Sequence, residues 1–189
     1  MKVIMINASA RGKQGNTQIL LETVAQRLNE RNIDTEIITL ADKKLHPCKA
    51  CGGCAGKKRC VQDDDVNAIY QKMVEADGII LGSPVYFGNV ASRMQMLIER
   101  TGYIARGNEN PFKGKLGAPV VVARRAGTTF VYAALNYFFG IAEMPIVTSS
   151  YWNMAIGREP GSVTKDDEGI KTMNTLGKNM ADLLSKLHA

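Results

Sequence analysis

The chain has 189 residues, 45 % of them hydrophobic and 22 % charged, and a formal net charge of +6. A chain of this length buries about 70 % of the surface its unfolded form exposes, so one ordinary core suffices and a disulfide-stapled miniprotein is excluded. The basic residues are spread along the sequence, densest at Lys57-Lys58-Arg59 and Arg124-Arg125, without any nucleic-acid-binding motif; the charge suits anionic nucleotides or acidic redox partners better than nucleic acid.

In chain order, Lys2 to Asn7 is a short apolar run that predicts a first strand. The stretch from Met1 lacks the apolar length and small-residue cleavage site of an export signal, so a cytoplasmic protein is expected. A polar loop, Ala8 to Gly15, follows; Asn16 and Thr17 then offer N-cap side chains to a helix marked by Ile19, Leu20, Val24 and Leu28. Ile33 to Leu40 predicts a second strand, and a cysteine-rich segment occupies residues 47–61. Asp63-Asp64-Asp65 suit a helix N-terminus ahead of Val66, Ile69, Met73 and Val74. Gly78 to Gly82, nearly all apolar, predicts a central strand covered on both faces. Beyond the loop Ser83–Asn89 come a helix over 91–101, a glycine-rich connection over 102–115, a strand over 116–123 and a helix over 128–142. A fifth strand is expected at Pro145–Ser150 and a last helix from about Lys165 to Leu187. The apolar run Phe130 to Val147 is broken by Asn136, Gly140, Glu143 and Pro145, so no membrane span is expected.

Strands and helices thus alternate five times, without repeat or linker, which indicates one domain over 1–189. The expected architecture is α/β: a five-stranded parallel sheet of flavodoxin-like order 2-1-3-4-5, with helices on both faces and a cysteine-rich insertion after strand 2. In such sheets ligands bind beyond the carboxyl ends of the strands, here the loops after Asn7, Leu81 and Ala123.

The first of these loops, Ser9 to Thr17, has the chemistry of an anion cradle. Ser9 and Thr17 bring hydroxyls, Asn16 an amide, Arg11 a guanidinium, and Gly12 and Gly15 let the backbone approach a ligand at a helix start. The G-x-G-x-x-G spacing and the G-K-[ST] ending are both missing, so a single terminal phosphate, as in FMN, fits better than a pyrophosphate. An ordinary strand-to-helix loop with an Asn/Thr cap would look the same locally. Together, Ser9-x-Arg11-x-x-x-Gly15-Asn16-Thr17 and Gly82-Ser83-Pro84-Val85-Tyr86-Phe87-Gly88-Asn89 resemble the NADPH-dependent FMN reductase family over essentially the whole chain. The resemblance implies a flavodoxin-like fold and an FMN phosphate held by Ser9, Arg11, Asn16 and Thr17. It also implies a flavin ring met by Pro84, Val85, Tyr86, Phe87, Gly88 and Asn89; Phe87 is equally placed to pack on a partner subunit. One of Arg124 and Arg125, with Arg124 the candidate, is positioned by topology to face the ring's pyrimidine edge.

All four cysteines, Cys48, Cys51, Cys54 and Cys60, fall within 13 residues in the pattern C-x2-C-x2-C-x5-C. A disulfide pair, a zinc site, a redox dithiol and an iron–sulfur cluster compete for this segment. Two consecutive x2 spacings and the glycines at 52, 53 and 56 favour wrapping a cubane, with Lys57, Lys58 and Arg59 offsetting its negative charge. Here the chain resembles the iron–sulfur flavoprotein branch of the family, which implies a [4Fe–4S] cluster on these cysteines and a homodimer or homotetramer. The expected activity is electron transfer between cluster, FMN and an external partner, a small redox protein or NAD(P)H. The alternative is a NAD(P)H-dependent FMN or quinone reductase without a cluster. No residue presents itself as a general acid or base, and His46 reads as a bystander to the cysteines.

Overall fold

The computed structural model describes residues 1–188. Its elements run β1 (Lys2–Asn7), α1 (Asn16–Asn29), β2 (Asp34–Thr39), α2 (Val66–Glu75), β3 (Gly78–Tyr86), β4 (Asn89–Val90), α3 (Ser92–Arg106), β5 (Leu116–Ala123), α4 (Thr128–Ile141), β6 (Met154–Ile156) and α5 (Asp167–Leu187). The strands pair in the order β2-β1-β3-β5-β6, with every pair along this path parallel, and β4 folds back antiparallel on β3 as a hairpin. With the hairpin set aside, this is the five-stranded flavodoxin-like order expected from the sequence.

The side-chain alternation of the strands makes two cores. Ile4, Ile6, Ile79, Leu81 and Val121 pack with α2, α3 and α4, while Val3, Met5, Ile80, Val120 and Val122 pack with α1 and α5. β3 and β5 are therefore buried on both faces, and their continuous apolar runs are the consequence. Among the described residues no helix is long and apolar enough to cross a membrane.

Three local differences from expectation have physical causes. The fifth sheet strand is Met154–Ile156, not Pro145–Ser150. Ile146 makes one bridge to Gly117, after which the chain leaves the sheet; buried Asn153 closes the excursion by donating to the Val147 carbonyl at 3.2 Å and accepting from Ser149 Oγ at 2.9 Å. The chain then re-enters beside β5, where Asp166 accepts from the Ile156 amide at 2.6 Å and, at the start of α5, from the Gly169 amide at 3.0 Å. β3 continues through Tyr86, because β5 carries Ser83 and Pro84 as strand and the hairpin to β4 carries Val85 and Tyr86. The cap of α1 is Gly15, without a side-chain hydrogen bond, so Asn16 and Thr17 open the helix rather than cap it.

Candidate functional site

The carboxyl ends of β1, β3 and β5 meet at one edge of the sheet, and Asn7 builds the first loop there. It is fully buried; its amide donates to the Gly12 carbonyl at 3.1 Å and to Gln18 Oε1 at 2.9 Å, while its Oδ1 accepts from the Ser9 amide at 2.9 Å. The loop doubles back so closely that a Cβ on Gly15 would stand 2.4 Å from Ser9 Oγ. Ser9, Arg11, Asn16 and Thr17 all line a cavity of about 580 Å³, and Pro84, Val85, Tyr86 and Arg124 line it from the other side. Tyr86 Oη accepts weakly from the Ala10 amide at 3.4 Å and so joins the two loops.

The donor set suits an anionic ligand. Thr17 is 1 % exposed and Asn16 6 %, yet neither Thr17 Oγ1 nor Asn16 Oδ1 has a hydrogen-bond partner among the described residues. A buried polar group left so costs about 1–3 kcal/mol. With the first turn of α1 opening beside them and no side chain capping its amides, these groups form a cradle that a phosphate would complete. The Asn16 amide nitrogen is already used, donating to the Glu159 carbonyl at 3.0 Å, and Arg11 Nη1 donates to the Arg158 carbonyl at 3.2 Å.

Gly157, Arg158 and Glu159 therefore belong to this wall, although no motif singles them out. They lie about 140 residues beyond the first loop, and the exit of β6 alone brings them there. The other three members of the second loop sit elsewhere. Phe87, at the hairpin tip with φ 50°, points its whole side chain into solvent. Gly88 and Asn89 line a neighbouring cavity of about 540 Å³, bounded also by Pro47, by Met96 and Glu99 of α3 and by Phe130 of α4. Arg125 is exposed and, unlike Arg124, does not line the first cavity. The hairpin is seated by Gly127 at φ 92°, where a Cβ would meet Val85 Cγ1 at 2.8 Å.

The cysteine segment lies between β2 and α2, and all four cysteines are free thiols. They line a single cavity of about 190 Å³, closed on the α3 side by Arg100, Tyr103 and Ile104. Its backbone is tied down by Asn67, whose Oδ1 accepts from the Cys60 amide at 2.8 Å, and by Asn108, which accepts from the Lys58 amide and donates to the Cys54 carbonyl, both at 2.9 Å. Asp64 holds the two ends together. Its carboxylate accepts from the His46 amide at 3.1 Å, from His46 Nδ1 at 3.0 Å and from Arg100 Nη1. Burial alone would raise the Asp64 pKa, but the hydrogen bonds from Arg100, His46 and the Val66 amide hold it below the ordinary carboxylate range. Burial pushes the Cys54 thiol up, and the neighbouring Cys60, Cys48 and Cys51 add to this.

Among the described residues no three Cys, His, Asp or Glu side chains stand together as a site for a metal ion. A zinc ion would require sulfurs about 2.3 Å from one point. Four thiols distributed around a cavity instead fit a polynuclear group, and the donor set is all sulfur, as iron–sulfur ligation requires.

A doubly wound parallel sheet with an anion-cradling loop at its switch point makes this a flavodoxin-like α/β protein. Solved structures agree: RosB with bound 8-demethyl-8-formylriboflavin-5'-phosphate superposes with a TM-score of 0.79 at 16 % identity, covering 100 % of this chain and 80 % of that one. A flavodoxin from the domain Archaea gives a TM-score of 0.65 at 18 % identity, covering 98 % and 99 %. The model of the NADPH-dependent FMN reductase family matches residues 1–159, and the chain belongs to that family, a family of flavin-dependent oxidoreductases. An iron-sulfur flavoprotein of Methanocaldococcus jannaschii is 39 % identical over 97 % of each chain, and one of Methanosarcina thermophila 31 % identical over 97 % of this chain and 95 % of that protein.

Proposed function

We propose that this oxidoreductase binds FMN in the cavity between the β1 loop and the β3 hairpin, binds a [4Fe–4S] cluster on Cys48, Cys51, Cys54 and Cys60, and passes electrons between them and an external partner. The observation that carries the reading is that all four thiols line one cavity. Bound FMN supplies exchange between one- and two-electron chemistry, and a bound cluster supplies single-electron exchange. The protein's part is placement. Ser9, Asn16 and Thr17 with the first turn of α1 hold the phosphate; Pro84, Val85 and Tyr86 offer the ring a platform; Arg124 stands where negative charge on the ring would be stabilised. Phe87, Gly88 and Asn89 lie at the hairpin tip, placed to meet the ring's far end or a second subunit.

Lys49 lines the cysteine cavity and exposed Lys57, Lys58 and Arg59 follow in the same segment; together they suit an acidic redox protein as partner, with NAD(P)H as the other donor. Phe130, Tyr137 and Ile141 expose apolar surface along α4, and Phe87 does so at the hairpin tip, which supports a homodimer or homotetramer. Four cysteines without a disulfide suit a reducing compartment such as the cytoplasm. Anaerobic purification with iron, sulfide and flavin assays and EPR of the reduced protein tests the reading; roughly four irons per chain with FMN is the expected result, and FMN with less than about one iron sinks the cluster half.

A second reading, a NAD(P)H-dependent FMN or quinone reductase using the same flavin site without a cluster, draws on the family itself and on a 23 % identical Bacillus subtilis relative named a putative NAD(P)H-dependent FMN-containing oxidoreductase. Fast NADPH-to-quinone turnover that survives Cys48→Ser would select it.

A further inference from the structure

Arg100 is the largest fully buried side chain of the molecule, 1 % exposed, and it forms part of the wall of the cysteine cavity. Arginine is seldom buried so completely without a full set of partners. Of its donors, Nη1 serves the Asp64 carboxylate and the His46 carbonyl, the latter at 3.3 Å, and Nη2 reaches the Gln62 carbonyl at 3.4 Å. Nε is buried and has no partner among the described residues. Asp64, by contrast, is saturated, accepting from Arg100, from the His46 ring and from the backbone amides of His46 and Val66. A clamp on the loop needs only the Nη1 contact to the carboxylate and the bonds to the His46 and Gln62 carbonyls. It gives no reason for a dry, unpaired N–H in a wall otherwise rich in sulfur.

We propose that Arg100 is a positioning residue for the cysteine-bound cluster, lending its free Nε–H and its positive charge to the sulfur side of the cavity and so raising the cluster's reduction potential and its retention. The inference rests on the reading that the four cysteines hold a cluster. Four thiolates make such a site net negative, and each added electron increases that charge. Lys57, Lys58 and Arg59 are exposed, so water and salt screen them, whereas a guanidinium buried in the wall is screened far less. A guanidinium stays protonated in proteins. The charge is thus dependable at any working pH.

The test compares wild-type protein with R100K, R100Q and D64N, all purified anaerobically as full chains. The readouts are iron and sulfide per chain, FMN per chain as the check on folding, and the one-electron midpoint of the reduced-cluster EPR signal titrated with dithionite. R100K keeps charge and a donor and is expected within about threefold of wild type in the one-electron equilibrium. R100Q is expected to shift that equilibrium at least tenfold against reduction, about 59 mV. D64N removes the compensating anion and is expected to move the midpoint the opposite way, which loosening of a structural clamp would not do. Iron lost from FMN-loaded R100Q but kept by R100K also supports the assignment. An unchanged midpoint in R100Q, or equal iron loss in R100K and R100Q, overturns it. Wild-type protein with FMN and no iron removes the cluster reading itself, and this inference with it.

Discussion

Thr17 turns a sequence motif into a measurable claim. Its hydroxyl is buried without a partner, so Thr17→Val keeps the shape and removes a group that gains nothing until a ligand arrives. A hydrogen bond to a charged group contributes about 1.5–3 kcal/mol. FMN titration of the apoprotein, followed by flavin fluorescence, is therefore expected to show about ten- to a hundredfold weaker binding, while the apoprotein's thermal midpoint holds or rises slightly. Asp64 makes a claim about pH. Its folded pKa lies below the unfolded value, so its contribution is fully present above the unfolded pKa of about 3.9 and is lost as pH falls through the folded one. Acid unfolding followed by circular dichroism should show D64N less stable than wild type at neutral pH, with the gap closing below about pH 4. The place of Thr17 in the first cavity was legible because it depends only on one loop and one helix start. The Asp64–Arg100 pair was not, because 36 residues of chain separate two charges that only packing α3 against the cysteine segment joins.

Individual elements divide in the same way. The β-branched run at Ile146-Val147-Thr148 reads as a strand, but it makes a single bridge, and the three-residue β6 that takes its place carries too little pattern to be seen in sequence. Nothing in one dimension reveals that buried Asn153 turns the chain out and back. The hairpin was not legible: residues 83–89 read as a loop, and neither the two-residue β4 nor the φ of 50° at Phe87 leaves a pattern in the sequence. Gly127 couples that hairpin to α4. Gly127→Ala combines a left-handed backbone with a 2.8 Å approach to Val85 Cγ1, so about 2 kcal/mol of destabilisation is expected, a fall of roughly 4–8 °C in a calorimetric midpoint.

At the scale of the whole molecule, the net charge of +6 is unevenly used. Exposed Lys49, Lys57, Lys58 and Arg59 all belong to the cysteine segment, where an acidic partner would meet the thiol-rich end of the protein. Reduction by an acidic carrier protein, measured by stopped flow, is expected to slow by at least about tenfold between 0.01 and 0.3 M salt, and K57E/R59E should flatten that dependence. Reduction by a neutral small reductant should change little. The overall order of the sheet was legible because apolar strands separated by amphipathic helices leave few ways to close two cores.

A sheet closed in this way still has two ends, and both are blunted. β2 carries Asp34 and Glu36, the latter paired with Lys2 and Lys72, and β6 is three residues long with its Ile156 amide already taken by Asp166. Charged side chains on one margin and a very short strand on the other are features that discourage another chain from extending the sheet. Strand addition at these margins is therefore expected to be disfavoured, and Asp166→Ala, which uncovers the Ile156 amide, is expected to raise thioflavin-positive aggregation at high concentration.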